Sequence, residues 1–208
     1  MLTETVVAVF LLVCLGCFVS VNLHNMLKAH KRRSGVKVYA EVERPAGFVV
    51  GLAAVGTIVY FLEVLLYLFL TFNGLIYVLH DFPVYFNFPF ILHIQIVGLV
   101  LTSAGYLLFI WSVVVRGRCA VSWEMPENQR LVTWGPYCYV RHPSYLGYFL
   151  MFFGLFFLWP NLFTLLPLAA IPGYFSLTFE EERLLVLRFG DEYVKYQAET
   201  GRFIPKFR

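Results

Sequence analysis

Five apolar segments, separated by short polar stretches, make up about half of this 208-residue chain. They run over residues 5–23, 46–72, 90–115, 144–158 and 162–179. A helix rises about 1.5 Å per residue, so about 20 residues cross the roughly 30 Å hydrocarbon layer of a membrane. Charged residues are only 14% of the chain, against about 25% in soluble domains. We therefore predict an all-α fold, a multi-pass membrane helical bundle of five transmembrane helices. The last two form a hairpin over 144–179, which is short enough to be re-entrant but which we expect to span.

The basic residues predict how such a bundle is oriented. All 16 lysines and arginines lie between the first and second segments, between the third and fourth, or after the fifth. Cytoplasmic loops of membrane proteins carry the excess of lysine and arginine. Five spans with the N-terminus outside and the C-terminus in the cytosol place every basic residue on one face. The first segment is expected to be an uncleaved anchor, because no basic residue precedes it and the basic run 28–33 follows it.

This topology divides the chain into two expected parts. Residues 1–115 carry three N-terminal transmembrane helices and a basic cytosolic loop at 24–45. Residues 116–208 form a catalytic region with a cytosolic connector, the helical hairpin, and a C-terminal cytosolic helix and tail. The sequence has no glycine-rich phosphate-binding motif and no metal-ligand spacing, so we expect no metal. We also expect no nucleic-acid partner, because the composition is too apolar for a nucleic-acid-binding arm. The Cys14–Cys17 pair lies in an apolar run and is expected to hold unpaired thiols.

The first polar block that could carry chemistry covers residues 128–147. Gly135-Pro136 predicts a turn, and Pro143 suits the first position of a helix. Arg141 and His142 are therefore expected just before the fourth span. There, the free N–H groups and partial positive charge of the helix end favour a carboxylate or phosphate. Nearby tyrosines offer ring faces for a planar base or a sulfonium cation. An aromatic belt with an interfacial arginine has the same composition, so this block alone leaves both interpretations open.

The second block begins with three consecutive glutamates, at 180–182, where the fifth segment ends. The helix dipole disfavours carboxylates at a helix C-terminus, so they need cationic partners. On a helix they point in different directions, and at most one or two can face the first block. The alternative is a solvated acidic collar relieved by Arg183 and Arg188. A carboxylate, a helix end and aromatic rings together suit a zwitterionic sulfonium donor with an adenine ring, such as S-adenosylmethionine, although the residues alone do not select it.

The sequence motifs of the two blocks are L-V-T-x-G-P-Y at 131–137, R-H-P-S-Y-x-G at 141–147, E-E, F-G-x-E-Y-x-x-Y at 189–196 and F-I-P at 203–205. Together they resemble the isoprenylcysteine carboxyl methyltransferase family over about residues 129–207. That family consists of integral membrane methyltransferases that use S-adenosylmethionine. The resemblance implies that this donor is bound by Gln129, Arg130, Leu131, Val132, Tyr137, His142, Pro143, Ser144, Tyr145 and Glu181. The catalytic residue is unknown, and the candidates are Arg141, Glu182 and Arg183.

The resemblance also implies how substrates arrive. The donor would enter from the cytosol and a lipophilic acceptor from the bilayer, in a prokaryotic inner membrane or the endoplasmic reticulum. The acceptor would be a prenylcysteine carboxylate or a related lipid-like nucleophile. The carboxyl methyltransferases proper carry an arginine four residues before the matching glutamate, where this chain has Leu177. We therefore expect weak activity on prenylcysteine carboxylates and better activity on an amine or thiol.

Three other functions stay open on the sequence. Related membrane methyltransferases act on phospholipid amines. Sterol reductases have a similar C-terminal pattern and bind NADPH, although they are about twice as long. A membrane protein without activity that has kept the fold is the third. The oligomeric state and the identity of the membrane lipids around the protein are not predicted.

Polar residues inside the apolar segments are a further hypothesis. Glu63 lies in the middle of the second segment, and His93 and Gln95 lie near the start of the third. Ionisable residues within the hydrocarbon layer are often functional. Glu63 could be an acceptor-side base or polar handle, or a protonated carboxyl bonded to a neighbouring helix, and both interpretations remain.

Overall fold

A computed structural model of the protein describes residues 2–30, 38–41, 47–79, 83–117, 124–126 and 130–206. Its α-helices in these ranges are α1 (Glu4–His30), α2 (Phe48–Phe72), α3 (Ile76–Leu79), α4 (Ile91–Arg116), α5 (Pro143–Leu158), α6 (Ala170–Phe189) and α7 (Asp191–Glu199). Two 3₁₀ turns cover Gly135–Cys138 and Phe163–Ala169. The predicted helical architecture is confirmed, with one exception. A short antiparallel ribbon pairs β1 (Val38–Glu41) with β2 (Glu124–Pro126).

Three of these helices are long and apolar enough to cross a membrane: Glu4–Leu27, Phe48–Phe72 and Ile91–Arg116. Large apolar side chains on each, such as Val13, Ile58 and Val100, are exposed on the outside of the bundle. Such a surface is expected where lipid rather than water surrounds a helix. By length and composition these helices support the predicted multi-pass membrane class.

The helices at the first and fifth predicted segments differ in extent from the prediction. The first helix continues to His30, seven residues beyond the apolar segment that predicted it. Helix geometry does not require apolar residues, so it continues into the polar sequence. The fifth segment is divided instead of forming one α-helix. Its first part is the 3₁₀ turn that contains Pro167, a residue without a backbone N–H, and α6 begins at Ala170.

Glycines allow α4 and α5 to approach each other closely, and these two helices form the most extensive contact in the described fold. A Cβ atom on Gly105 would lie 2.7 Å from the Gly147 carbonyl oxygen and 2.9 Å from the Met151 backbone nitrogen. A Cβ atom on Gly147 would lie 2.9 Å from the Gly105 carbonyl oxygen. Small residues at helix crossings are a common means of close packing in membranes. This packing fixes α5, and therefore the polar residues at its start, against α4.

We expect Gly105→Ala to lower the stability of the protein by about 1–3 kcal/mol, because the added methyl group meets backbone atoms that cannot rotate away. The matched control is Gly16→Ala in α1, where a Cβ atom would have nothing within 4 Å. That change should be neutral or slightly stabilising, since alanine favours a helix by about 0.5–1 kcal/mol over glycine. Thermal unfolding in detergent micelles measures both. Equal melting temperatures for the two variants would contradict the close α4–α5 packing.

The sequence Trp159-Pro160-Asn161 forms a closed turn between α5 and the following 3₁₀ turn. The Asn161 side-chain oxygen accepts hydrogen bonds from the backbone N–H groups of Phe163 (2.9 Å) and Thr164 (3.2 Å). On the other side, the Leu162 N–H donates to the Val84 carbonyl (2.9 Å). The tip of the hairpin therefore lies beside the loop that precedes α4.

Candidate cofactor site

The C-terminal tail and the start of α5 are held together by backbone hydrogen bonds. Val140 and Gly201 form a parallel β-bridge. The Arg141 N–H donates to the Gly201 carbonyl (2.8 Å), and the His142 N–H donates to the Arg202 carbonyl (3.1 Å). His142 immediately precedes α5, and Pro143 occupies the first turn as predicted. These contacts bring the two polar blocks of the sequence to one end of the bundle.

Glu182 is the centre of a buried ionic cluster. Its carboxylate accepts hydrogen bonds from Arg141 Nε (2.9 Å), His142 Nε2 (3.0 Å), Arg202 Nη2 (2.8 Å) and Gln197 Nε2 (3.0 Å). The residue is only 4% exposed. Burial by itself would raise the pKa of Glu182, but the hydrogen bonds from these cations outweigh it and hold the pKa well below its usual range. Both oxygens are therefore fully used within the protein.

Glu181 points to the other side of His142. One carboxylate oxygen accepts a 2.5 Å hydrogen bond from the Tyr145 hydroxyl, and the other lies 3.5 Å from His142 Nδ1. The imidazole of His142 thus lies between two carboxylates and is 6% exposed. Burial alone would lower the pKa of His142, but the two glutamates outweigh it and raise the pKa above its ordinary value. The two carboxylates therefore favour the protonated form of His142.

The third glutamate and the nearby arginine point away from this cluster. Glu180 is exposed, and its carboxylate lies 3.8 Å from Arg183 Nη1. The Arg183 side chain is 75% exposed and lies outside this cluster, so its catalytic role stays a prediction. Arg141 is held inside the cluster, because its Nη1 also donates to the carbonyl oxygens of Gln197 and Thr200. Two of the three glutamates face the first block, as the helical spacing predicts.

A cleft opens beside Glu181 and holds roughly 620 Å³ of space, part of it open to solvent. Eight of the ten predicted donor-binding residues line this cleft: Arg130, Leu131, Val132, Tyr137, His142, Ser144, Tyr145 and Glu181. Pro143 is buried at the start of α5 without lining it, and Gln129 lies outside the described residues.

The cleft also contains residues that the sequence did not point to as donor-binding. They are Arg116, Leu185, Phe189, Tyr193 and Tyr196. The F-G-x-E-Y-x-x-Y motif contains three of them: Phe189, Tyr193 and Tyr196. Their helical spacing is the feature of the sequence that could have indicated them. For Arg116, at the end of α4, the sequence carried no signal beyond its basic charge.

The polar groups on the cleft wall leave bonding capacity for a ligand. No side chain caps the N-terminus of α5, so the N–H groups of its first turn lie free of a capping partner. The buried Tyr137 hydroxyl has no hydrogen-bond partner among the described residues. Glu181 uses only part of its acceptor capacity, unlike Glu182. Together these groups offer an anion for an ammonium group, and donors for a carboxylate.

The polar residues inside the predicted membrane helices, Glu63, His93 and Gln95, do not line this cleft. Gln95 accepts a hydrogen bond from the Leu2 N–H (2.7 Å) and donates to the Leu158 carbonyl (3.2 Å), so it links the N-terminus and α5 to α4. His93 is exposed and meets Phe90 edge-on. Glu63 is buried, and neither carboxyl oxygen has a hydrogen-bond partner in the part of the chain that the structure describes.

The fold and the site define a helical membrane protein with a polar cleft at one end of its helices. Residues 93–192 match the family model described as phospholipid methyltransferase. Three proteins named protein-S-isoprenylcysteine O-methyltransferase are similar to parts of this chain. The protein from Schizosaccharomyces pombe is 41% identical over 81 residues, which are 38% of this chain and 34% of that relative.

The other two relatives also match only part of this chain. The Tribolium castaneum protein is 33% identical over 87 residues, 41% of this chain and 31% of the relative. The Xenopus laevis protein is 29% identical over 117 residues, 54% of this chain and 41% of the relative. The chain thus matches between about a third and two fifths of the length of these relatives. The resemblance inferred from the motifs is confirmed by these matches.

Proposed function

We propose that this protein is an integral membrane methyltransferase that transfers a methyl group from S-adenosylmethionine to a lipophilic acceptor. The observation that carries the proposal is the cleft in which Glu181, the uncapped N-terminus of α5 and several tyrosines meet. The names of the related proteins support the same reaction class, since all three are O-methyltransferases.

The residues of the cleft fit a zwitterionic donor. The Glu181 carboxylate binds the donor's ammonium group, and the free N–H groups at the start of α5 bind its carboxylate. The Tyr137 hydroxyl, which otherwise lacks a partner among the described residues, supplies a further hydrogen bond. When bound, S-adenosylmethionine supplies an electrophilic methyl group whose bond to sulfur breaks as the bond to the acceptor forms. The protein contributes alignment of the two reactants and exclusion of water.

His142 and Glu182 have a supporting part in this proposal. The Glu182 carboxylate holds His142 in place through Nε2, and His142 in turn lies against Glu181. Both ring nitrogens of His142 face carboxylates, since Nε2 lies 3.0 Å from Glu182 and Nδ1 lies 3.5 Å from Glu181. We therefore assign His142 to donor binding and positioning, and not to the role of general base.

Binding of S-adenosylhomocysteine, measured by titration calorimetry on the detergent-purified full chain, tests the proposal together with a tritiated-methyl transfer assay. The acceptor panel contains prenylcysteine, phospholipid and thiol acceptors, since the matched family model is described as phospholipid methyltransferase. We expect S-adenosylhomocysteine to bind and at least one acceptor to be labelled. Binding of NADPH alone would favour the reductase alternative, and binding of neither ligand would favour a protein without activity.

We further propose that the chain crosses the membrane five times, with the N-terminus outside and the cleft in the cytosol. The 3₁₀ turn and the apolar part of α6 together rise roughly 29 Å, close to the thickness of the hydrocarbon layer. The hairpin tip at 159–162 contacts the loop before α4, at the end of the bundle opposite the cleft. Both features favour a spanning hairpin over one that returns to the same face.

Single cysteines in a cysteine-free background test this topology. We expect cysteines at Asn73 and Leu162 to react with an impermeant maleimide added to intact cells, since both positions are exposed at the outer end. A cysteine at Lys195, exposed on α7, should react only after permeabilisation. Protection at Leu162 with labelling at Asn73 would indicate a re-entrant hairpin. Labelling of Lys195 in intact cells would contradict the orientation.

A further inference from the structure

The tail segment at 200–205 supports His142 in three ways. The Arg202 carbonyl accepts a hydrogen bond from the His142 N–H (3.1 Å). The Phe203 ring lies 6.0 Å from the imidazole, measured between ring centroids. The Arg202 guanidinium donates to both oxygens of Glu182, from Nε (3.1 Å) and Nη2 (2.8 Å), and Glu182 is the hydrogen-bond partner of His142 Nε2. Neither Arg202 nor Phe203 lines the cleft in the described part of the chain.

The tail segment is anchored by contacts outside the cleft. Phe203 packs between α5 and α6, since its ring centroid lies 5.2 Å from that of Phe149 and 4.7 Å from that of Phe175. The Arg202 guanidinium carbon lies 4.0 Å from the centroid of the Phe179 ring, where a cation is attracted to the ring face. The segment is therefore fixed to both helices that carry the site, and it can hold the side chains it contacts in place.

Two guanidinium groups hold the Glu182 carboxylate from different parts of the chain. The Arg141 guanidinium reaches both oxygens and also donates to carbonyl oxygens of residues 197 and 200, and the Arg202 guanidinium reaches both oxygens from the tail segment. Bidentate pairs of this kind fix the direction of a carboxylate as well as its position. Without Arg202, the carboxylate is drawn towards Arg141 alone, and its hydrogen bond to His142 Nε2 weakens. The other ring nitrogen, Nδ1, then loses its fixed position 3.5 Å from Glu181.

We propose that Arg202 is a positioning residue of the donor site, which fixes the Glu182 carboxylate, through it the imidazole of His142, and through that the Glu181 carboxylate. The inference rests on the methyltransferase function proposed above. It gives a role to the G-R-F-I-P sequence at 201–205, which lines no part of the cleft in the described ranges. Arg202 affects the affinity for the donor without touching it.

The test is a double-mutant cycle on the purified full chain, with the affinity for S-adenosylhomocysteine measured by titration calorimetry. Arg202→Gln should weaken binding about three- to tenfold, within the range of couplings in a hydrogen-bonded network. In a Glu181→Gln background, the same change should alter the affinity less than twofold, because the carboxylate that Arg202 positions is already absent. A general loss of stability would instead lower the affinity by the same factor in both backgrounds. Arg202→Lys keeps the charge without the fork and should recover part of the loss.

Lys206→Gln is the matched control. It removes a cation from the same tail, and the Lys206 ammonium bonds to the carbonyl oxygens of Gln197 (2.9 Å) and Ala198 (2.8 Å) at the end of α7. This variant should bind S-adenosylhomocysteine within twofold of wild type, and a loss as large as that of Arg202→Gln would overturn the proposal.

Equal effects of Arg202→Gln in the two backgrounds, including no effect in either, would also overturn the proposal and leave Arg202 a role in stability alone. If Arg202→Gln does not elute as a monodisperse species, the same cycle with Arg202→Lys decides by the same criterion. Failure of wild type to bind S-adenosylhomocysteine would instead refute the proposed function itself.

Discussion

Glu182→Ala is expected to destabilise the protein by about 3–5 kcal/mol, the typical effect of removing one partner from a buried ion pair. The change leaves Arg141, His142 and Arg202 without the carboxylate that all three contact. It also removes the links from α6 to α7 and to the tail, because Gln197 of α7 and Arg202 of the tail both bond to this side chain. Chemical unfolding in mixed micelles, followed by tryptophan fluorescence, measures the loss.

The neighbouring glutamate provides the control for this change. Glu180→Ala removes a carboxylate from the same helix turn, but Glu180 is exposed and, within the described ranges, pairs only with the exposed Arg183. Exposed ion pairs contribute about 0–1 kcal/mol, so this variant should unfold close to wild type. Glu182→Gln keeps the shape of the side chain and should lose most of the same stability, since it lacks the charge. If both Glu182 variants unfolded like Glu180→Ala, the ionic cluster would not stabilise the packing of the tail against α6.

Glu181→Gln is expected to weaken S-adenosylhomocysteine binding about ten- to a hundredfold, which is the typical effect of losing one charge-assisted hydrogen bond. Glu181 faces the cleft, and its carboxylate keeps acceptor capacity beyond the Tyr145 hydroxyl. The amide retains the size of the side chain but no longer attracts the ammonium group of the ligand. Titration calorimetry on the purified variant measures the dissociation constant.

Glu180→Gln again serves as the matched control and should bind the ligand within twofold of wild type. His142→Ala is expected to lower both ligand affinity and stability, because His142 contacts Glu181 and Glu182 together. An affinity within twofold of wild type for both Glu181→Gln and His142→Ala would show that the donor binds elsewhere. In that case the cleft beside α5 would lose its assigned role, while the similarity to the methyltransferases would stand.

Much of the architecture could be predicted because hydropathy is a local property of the sequence. Each apolar segment corresponds to helical structure, and Pro143 begins α5 where the absence of an N–H costs nothing. The ends of the helices were less accurate. Helix α1 continues to His30 because polar residues also form helices, and the fifth segment contains a 3₁₀ turn at Pro167.

The sequence predicted which residues form the candidate site, but not how these residues are arranged. The two motifs indicated that Glu181, His142 and Tyr145 act together, and the structure brings these three side chains into contact. Helical spacing also limited how many of the three glutamates could face inward. It could not tell which glutamate would be enclosed by arginines and which would face the cleft, because that depends on where the tail returns.

The sequence by itself therefore determined the membrane class, the family resemblance and most residues around the cleft, since apolar length and motif spacing are properties of the sequence alone. The tertiary structure decided the different roles of these residues. Arg202 meets Glu182 across 20 positions of sequence, and Arg116 reaches the cleft from the end of another helix. Side chains that are distant in sequence become neighbours only when the helices pack. Burial then determines which charges must be paired within the protein and which remain available to a ligand.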